Sequence, residues 1–263
     1  MRRVVLLMAM AVMLSLGGAA QDSVTITSDP SDLSRPVSTL LDQLRRRERV
    51  SVTYEDPRYS NANDIEDVTS QVARNIFEVQ KEYGPRTLVP KGKAITFVYS
   101  PQDLSSPDGA KAVIERMLRE YSLLGGPTFV VVRDGVRLHV WPSEGLDGVG
   151  NKVRQESILD TIISVPPGRR DGGQLLQAIC DQVKRQTGYE IGVGPSAPSN
   201  NLARYKTTRG IRHETARTAL EHLLDRLALP NSFDWDLYYA PDDKSYGLNF
   251  AYIGPAGPAH TTR

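Results

Sequence analysis

Residues 174–188 read Gln174-Leu175-Leu176-Gln177-Ala178-Ile179-Cys180-Asp181-Gln182-Val183-Lys184-Arg185-Gln186-Thr187-Gly188, and their spacing decides the fold class. Leu176, Ile179, Cys180 and Val183 recur at intervals of three and four, the stripe of a helix with one buried face. Gly188 stands where such a helix closes. Upstream, Ile162-Ile163-Ser164-Val165 alternates like a strand, and downstream so does Tyr189-Glu190-Ile191-Gly192-Val193. Helices interleaved with short alternating strands predict an α+β chain. Cys180, the one cysteine, lies on the apolar stripe and is expected as a small buried hydrophobe. A lone cysteine excludes an internal disulfide framework and any multi-cysteine zinc site.

The same pattern recurs earlier in the chain. At an offset of 139, Val37, Leu40, Leu41 and Leu44 fall on Leu176, Ile179, Cys180 and Val183, while Asp42, Gln43 and Arg46 meet identical Asp181, Gln182 and Arg185. Further on the offset is 106, placing Ala110, Glu115, Leu118 and Leu123 on Ala216, Glu221, Leu224 and Leu229. The first copy therefore carries an insertion of about 33 residues, within 57–93, read as an amphipathic helix from Asp64 to Tyr83. Deleting 57–93 is expected to leave the fold intact.

Two small β-α-β-β-α-β-β modules result, each a short mixed sheet packed by two helices. Ser106-Pro107-Asp108 is a helix start, and Asp134-Gly135 a two-residue hairpin turn. In the second copy Ala203–Thr207 is read as a strand, a helix is expected from His213 to Leu227, and Pro241-Asp242-Asp243-Lys244 turns the last hairpin. Residues 21–142 form the first module, 143–156 a linker, 157–253 the second, and 254–263 a disordered tail.

The second module resembles the secretin and TonB N-terminal short domain. The resemblance rests on Val165-Pro166-Pro167-Gly168 ending a strand and Gln186-Thr187-Gly188 closing a helix. It rests also on Ala219-Leu220-Glu221-His222-Leu223-Leu224 in a second helix, followed by Leu229 and Phe233-Asp234-Trp235. The match is weaker over 23–141, where Val113-Ile114-Glu115-Arg116-Met117-Leu118 replaces the Ala-Leu pattern. Arg169-Arg170-Asp171-Gly172-Gly173 enlarges the turn before the first helix. No pore or barrel segment follows the second copy. The resemblance implies a stand-alone interaction protein of the bacterial envelope, associated with secretin or TonB-type outer-membrane systems.

Charge and the N-terminal segment bound the partners and the compartment. The 32 basic and 31 acidic residues nearly balance, arguing against a general nucleic-acid binder. Met1-Arg2-Arg3, the apolar run Val4–Leu16 and small residues up to Ala20 have the layout of a cleavable signal peptide, residues 1–20. Cleavage after Ala20 leaves 30 basic against 31 acidic residues, a charge of −1, in a periplasmic or secreted chain. No later stretch reaches the roughly 18 apolar residues of a membrane span.

The search for chemistry predicts no catalytic, metal or cofactor site. His213-Glu214-Thr215-Ala216-Arg217 lacks a second histidine at zinc-protease spacing, and Gly145–Gly150 lacks the Lys-Ser/Thr of a phosphate loop. Arg45-Arg46-Arg47-Glu48-Arg49 reads as a solvated helix end whose cations complement the dipole. Arg204, Lys206, Arg209, Arg212 and Arg217 gather around one turn, with Arg204 and Lys206 on one strand face, as a candidate surface for an acidic partner or anionic glycan. The expectation is a non-enzymatic protein that binds another envelope protein or itself. The alternatives are an exported envelope-polymer hydrolase and an anion- or glycan-binding protein.

Overall fold

The computed structural model describes residues 23–28, 35–72, 86, 88–91, 93–227 and 233–253. The expected signal peptide, the expected tail and most of the expected inserted helix lie outside these residues. The chain is mixed α+β.

The first half runs β1 (Val24–Thr27), α1 (Pro36–Glu48), β2 (Val52–Glu55), β3 (Ile65–Asp67), the single turn α2 (Thr69–Val72), β4 (Leu88–Pro90) and β5 (Thr96–Tyr99). It continues with α3 (Pro107–Leu123), β6 (Phe129–Asp134) and β7 (Arg137–Pro142). The Ser106 hydroxyl accepts from the Gly109 amide at 3.1 Å with Pro107 in the first turn, so α3 starts as its sequence predicts. After a small ribbon, β8 (Glu144–Leu146) and β9 (Lys152–Arg154), come β10 (Ile162–Val165), β11 (Arg170–Asp171), α4 (Gly172–Thr187) and β12 (Glu190–Val193). The last stretch holds α5 (Ser199–Arg204), β13 (Lys206–Thr207), β14 (Ile211–Thr215), α6 (Ala216–Leu227), β15 (Phe233–Ala240) and β16 (Ser245–Tyr252). Helix α4 opens on an Asp171/Gln174 capping box and closes on Gly188 at φ +78°, a left-handed position suited to glycine.

One six-stranded sheet, in the order β12-β16-β15-β2-β7-β6, spans both halves instead of the two separate sheets expected. Strands β12 and β16 are parallel, as are β2 and β7; β16/β15 and β7/β6 are antiparallel hairpins. The halves meet where β15 pairs parallel with β2, Asp236 opposite Tyr54 and Leu237 opposite Glu55. Because side chains alternate across a strand, the two faces carry different cores. One face presents Val52, Tyr54, Leu138 and Val140 to Leu40, Leu41 and Leu44 of α1 and Ile114 and Met117 of α3. The other presents Trp235, Leu237, Tyr246 and Leu248 to Ile179, Cys180 and Val183 of α4 and Leu220, Leu223 and Leu224 of α6. The helices of the two halves thus cover opposite faces.

Several local readings change. Residues 203 and 204 end helix α5 instead of starting a strand; the short helix is held where buried Leu202 packs against the first turn of α4. His213 lies in strand β14, because its neighbour Glu214 pairs with Ile163 of β10, and the helix begins at Ala216. The β6/β7 hairpin turns on Gly135-Val136, since Asp134 already pairs with Arg137. Asp64 belongs to a 3-10 turn, and β3 and β4 form a ribbon, so helix starts only at Thr69. The segment 143–156 carries the β8/β9 ribbon.

Candidate functional site

The turn that carries the predicted basic residues is pinned by backbone packing. A Cβ on Gly210 would lie 2.3 Å from the Val165 carbonyl oxygen and 2.7 Å from the Pro167 nitrogen, so only glycine permits this approach. The Arg209 amide donates to Thr207 Oγ1 at 3.0 Å. Exposed Arg209 and Arg212 then line an open groove of about 560 Å³ between this turn and α6, with Arg226, Glu214 and His222 also on its walls. Glu214 faces His222 Nδ1 at 3.3 Å.

The other predicted members separate from them. Arg204 is exposed at the end of α5, and Lys206 lies 3.6 Å from Asp171. Arg217 is buried: its guanidinium meets Asp160 at 3.1 Å and lies 4.6 Å over the Trp141 ring. The structure therefore joins Arg209 and Arg212 with Arg226, which sequence reasoning did not include, and removes Arg217.

A dense polar cluster lies elsewhere, at the joint between the halves. Arg45, expected in a solvated helix end, is 1% exposed. Its guanidinium donates to the Val52 carbonyl at 2.7 Å and to Asp236 Oδ1 at 2.8 Å, and Asp234 lies 3.5 Å away. Asp234 also accepts from the Ser51 hydroxyl at 2.8 Å and the Val52 amide at 2.9 Å. Asp56 accepts from Arg35 at 2.7 Å and from the Tyr239 amide at 3.0 Å. Arg46, paired to Asp42 at 2.8 Å, Arg47 and Arg49 keep the exposed positions expected of that cluster.

On the opposite face, strand β7 aims Arg137, His139 and Trp141 at α6. Thr53 Oγ1 and His139 Nδ1 lie 2.8 Å apart, and His139 Nε2 stands 3.2 Å from Glu221 Oε1. Arg137 approaches Glu221 at 3.8 Å, Asp225 at 3.3 Å and Asp234 at 3.5 Å. Burial pushes the Glu221 carboxyl up to about 7, against the opposing pull of Arg137 and Arg217. Burial, reinforced by the same two guanidinium groups, pushes His139 down to about 3. Neutral imidazole beside a readily protonated carboxyl is the state this pocket favours.

Parts of this cluster match two chemistries. A hydroxyl, an imidazole and a carboxylate in line resemble a nucleophilic relay, but Thr53 is fully buried and no substrate reaches it. Ligand atoms of Asp134, His139 and Glu221 lie within 4.8 Å of one another, the minimum for a divalent ion. Arg137 and Arg217 already supply the compensating positive charge there, so the cluster is read as a structural joint. Cys180 is buried and its thiol is pushed up to about 12 by burial, leaving no thiolate for chemistry.

No family model matches the chain, and no curated protein and no solved structure is found similar to it. Among the described residues, no helix is long and apolar enough to cross a membrane.

Proposed function

We propose that this chain is an exported, non-catalytic interaction protein of the bacterial cell envelope. It is built from two divergent copies, 21–142 and 157–253, of a module like the secretin and TonB N-terminal short domain. What supports two copies is the recurrence of one strand order with one set of directions: β2-β7-β6 and β12-β16-β15 are both a parallel pair followed by an antiparallel hairpin. The sequence offsets of 139 and 106 match the same elements.

The observation that carries the interaction reading is the groove flanked by Arg209, Arg212 and Arg226. It is open, set on a fixed turn, and opposed by Glu214 alone among its carboxylates. Such a groove suits an acidic segment of an envelope partner, held by charge-assisted hydrogen bonds. The buried histidine and cysteine, by contrast, are sealed from solvent.

The test is titration of a fluorescent Asp/Glu-rich peptide into the wild type and an Arg209→Ala/Arg212→Ala variant. Binding that weakens with salt and drops at least about tenfold in the variant is expected. Equal binding by both proteins, or none by either, would sink the reading. Binding of inorganic phosphate or an anionic glycan, without the peptide, would replace it with the anion-binding alternative.

A further inference from the structure

The central sheet ends on two unequal edges. Among the described residues, β6 has no strand partner on its outer side and neither has β12. These edges are the counterparts of the two strands that meet in the middle, β6 of β15 and β12 of β2, an equivalence that rests on the two-copy reading. In sheet order the first half follows the second with strand directions reversed and helices moved to the opposite face. That is a half-turn about an axis across the strands combined with a shift along it. Such an operation does not close on itself.

We propose that a second copy of this chain docks head to tail, its β12 adding in parallel to β6 as β2 adds to β15 within the chain. Three features of the free ends fit that occupant. The first is a groove of about 460 Å³ beside β6, walled by Glu115, Leu118, Arg119 and Leu123 of α3 and by Phe129 and Val131. At the offset of 106 these positions match Glu221, Leu224, Asp225, Leu229, Trp235 and Leu237. In the second half the surface of Glu221, Asp225 and Trp235 is the one that receives Arg137 and His139 from the neighbouring half. The second feature is apolar exposure there, with Leu123 88% and Val132 41% exposed. A long apolar edge of this kind invites strand addition.

The third feature lies at the other end. The pair Thr53/His139, which meets α6 within the chain, corresponds to the pair Gly192/Gly247 on β12 and β16. A Cβ at Gly192 or Gly247 would find nothing closer than about 3.8 Å, and neither residue has a positive φ. The fold itself does not require glycine at either position. Their bare backbone forms a flat platform on the face that carries α1 and α3, the face on which an incoming α3 would lie.

The register within the chain, Asp236 opposite Tyr54, places Val130 of one copy opposite Val193 of the next. Neighbouring strands lie about 4.8 Å apart, inside the range a disulfide bridges. Cys180, the sole native cysteine, is buried and does not interfere. Val130→Cys and Val193→Cys proteins, mixed and oxidised, should yield the mixed disulfide dimer in preference to either homodimer. The doubly substituted chain should give a ladder of multimers.

Sedimentation velocity should show mass rising with concentration for the wild type. Leu123→Asp, at an exposed position, should raise the apparent Kd about tenfold, and Gly192→Lys should abolish association while circular dichroism stays native. A wild type that remains monomeric at about 1 mM, Val130→Cys homodimers in place of mixed dimers, or unchanged association in both surface variants would each overturn the proposal. Peptide binding at Arg209 and Arg212 is measured separately, so loss of the assembly leaves that reading distinguishable.

Discussion

The middle of the central sheet and its two ends are built from opposite materials. In the middle β15 meets β2 among buried charges, with Arg45 bracketed by Asp234 and Asp236 and each carboxylate holding further donors. At the offset of 106, the free edge carries Thr128 and Val130 where β15 has Asp234 and Asp236. Buried ion pairs contribute little net stability but punish every wrong register, because a misplaced charge is left desolvated and alone. Valine and glycine edges discriminate less. The joint within the chain is therefore made once and in one way, whereas the contacts proposed at the ends are weaker and concentration-dependent.

Removing Arg45 breaks the comparison most severely. Arg45→Ala leaves Asp236 buried without its cation and Asp234 with only Arg137, 3.5 Å away, and should cost about 3–5 kcal/mol in chemical denaturation. Arg45→Met combined with Asp234→Asn and Asp236→Asn should recover part of that loss. If Arg45→Ala unfolds with wild-type stability, the joint does not depend on its charges.

Glu221 and His139 sharpen the comparison through pH. The folded Glu221 carboxyl titrates at about 7, above its ordinary value of 4.5, so the stability it contributes is complete below 4.5 and is lost as pH rises through 7. His139, at about 3 in the folded chain against 6.5 ordinarily, contributes above 6.5 and loses that as pH falls through 3. Between 4.5 and 6.5 the two oppose one another. Glu221→Gln removes the first contribution only, so melting temperatures of the variant relative to wild type should rise from pH 5 to pH 8. A constant difference would mean that Glu221 is ionised throughout.

The smallest effect is expected from the insertion. Arg58 bonds to Gln155 and Glu156, and Tyr59 packs on the second core, so cutting at 57 would damage the joint. A shorter deletion, 61–91, should keep a single cooperative unfolding transition. Two separate transitions would show that this segment couples the halves.

Much of the local structure was legible. The stripes of α1, α4 and α6, the Ser106 cap and the Gly188 stop are written in residues a few positions apart, and each appears in the fold. The basic turn was legible in part: Arg209 and Arg212 stand together, but Arg226 joins them only through the packing of α6. Arg217 was misplaced because its partners, Asp160 and Trp141, are distant in sequence. The joint was not read at all, although the alternation Arg137-Leu138-His139-Val140-Trp141 held a clue. A strand with apolar residues on one face and Arg, His and Trp on the other has a second face that something must cover.

By itself, then, the sequence determined the helices, their caps and the alternating strands, because periodicity and capping act over one or two turns of chain. Tertiary structure alone decided that six strands join in one sheet, that the halves place their helices on opposite faces, and that Arg45 is buried 191 residues from Asp236. Strand edges are satisfied by backbone hydrogen bonds that every residue type offers alike, so nothing in the local sequence labels which edge meets which. The side chains that make the choice unique act only once the edges have met.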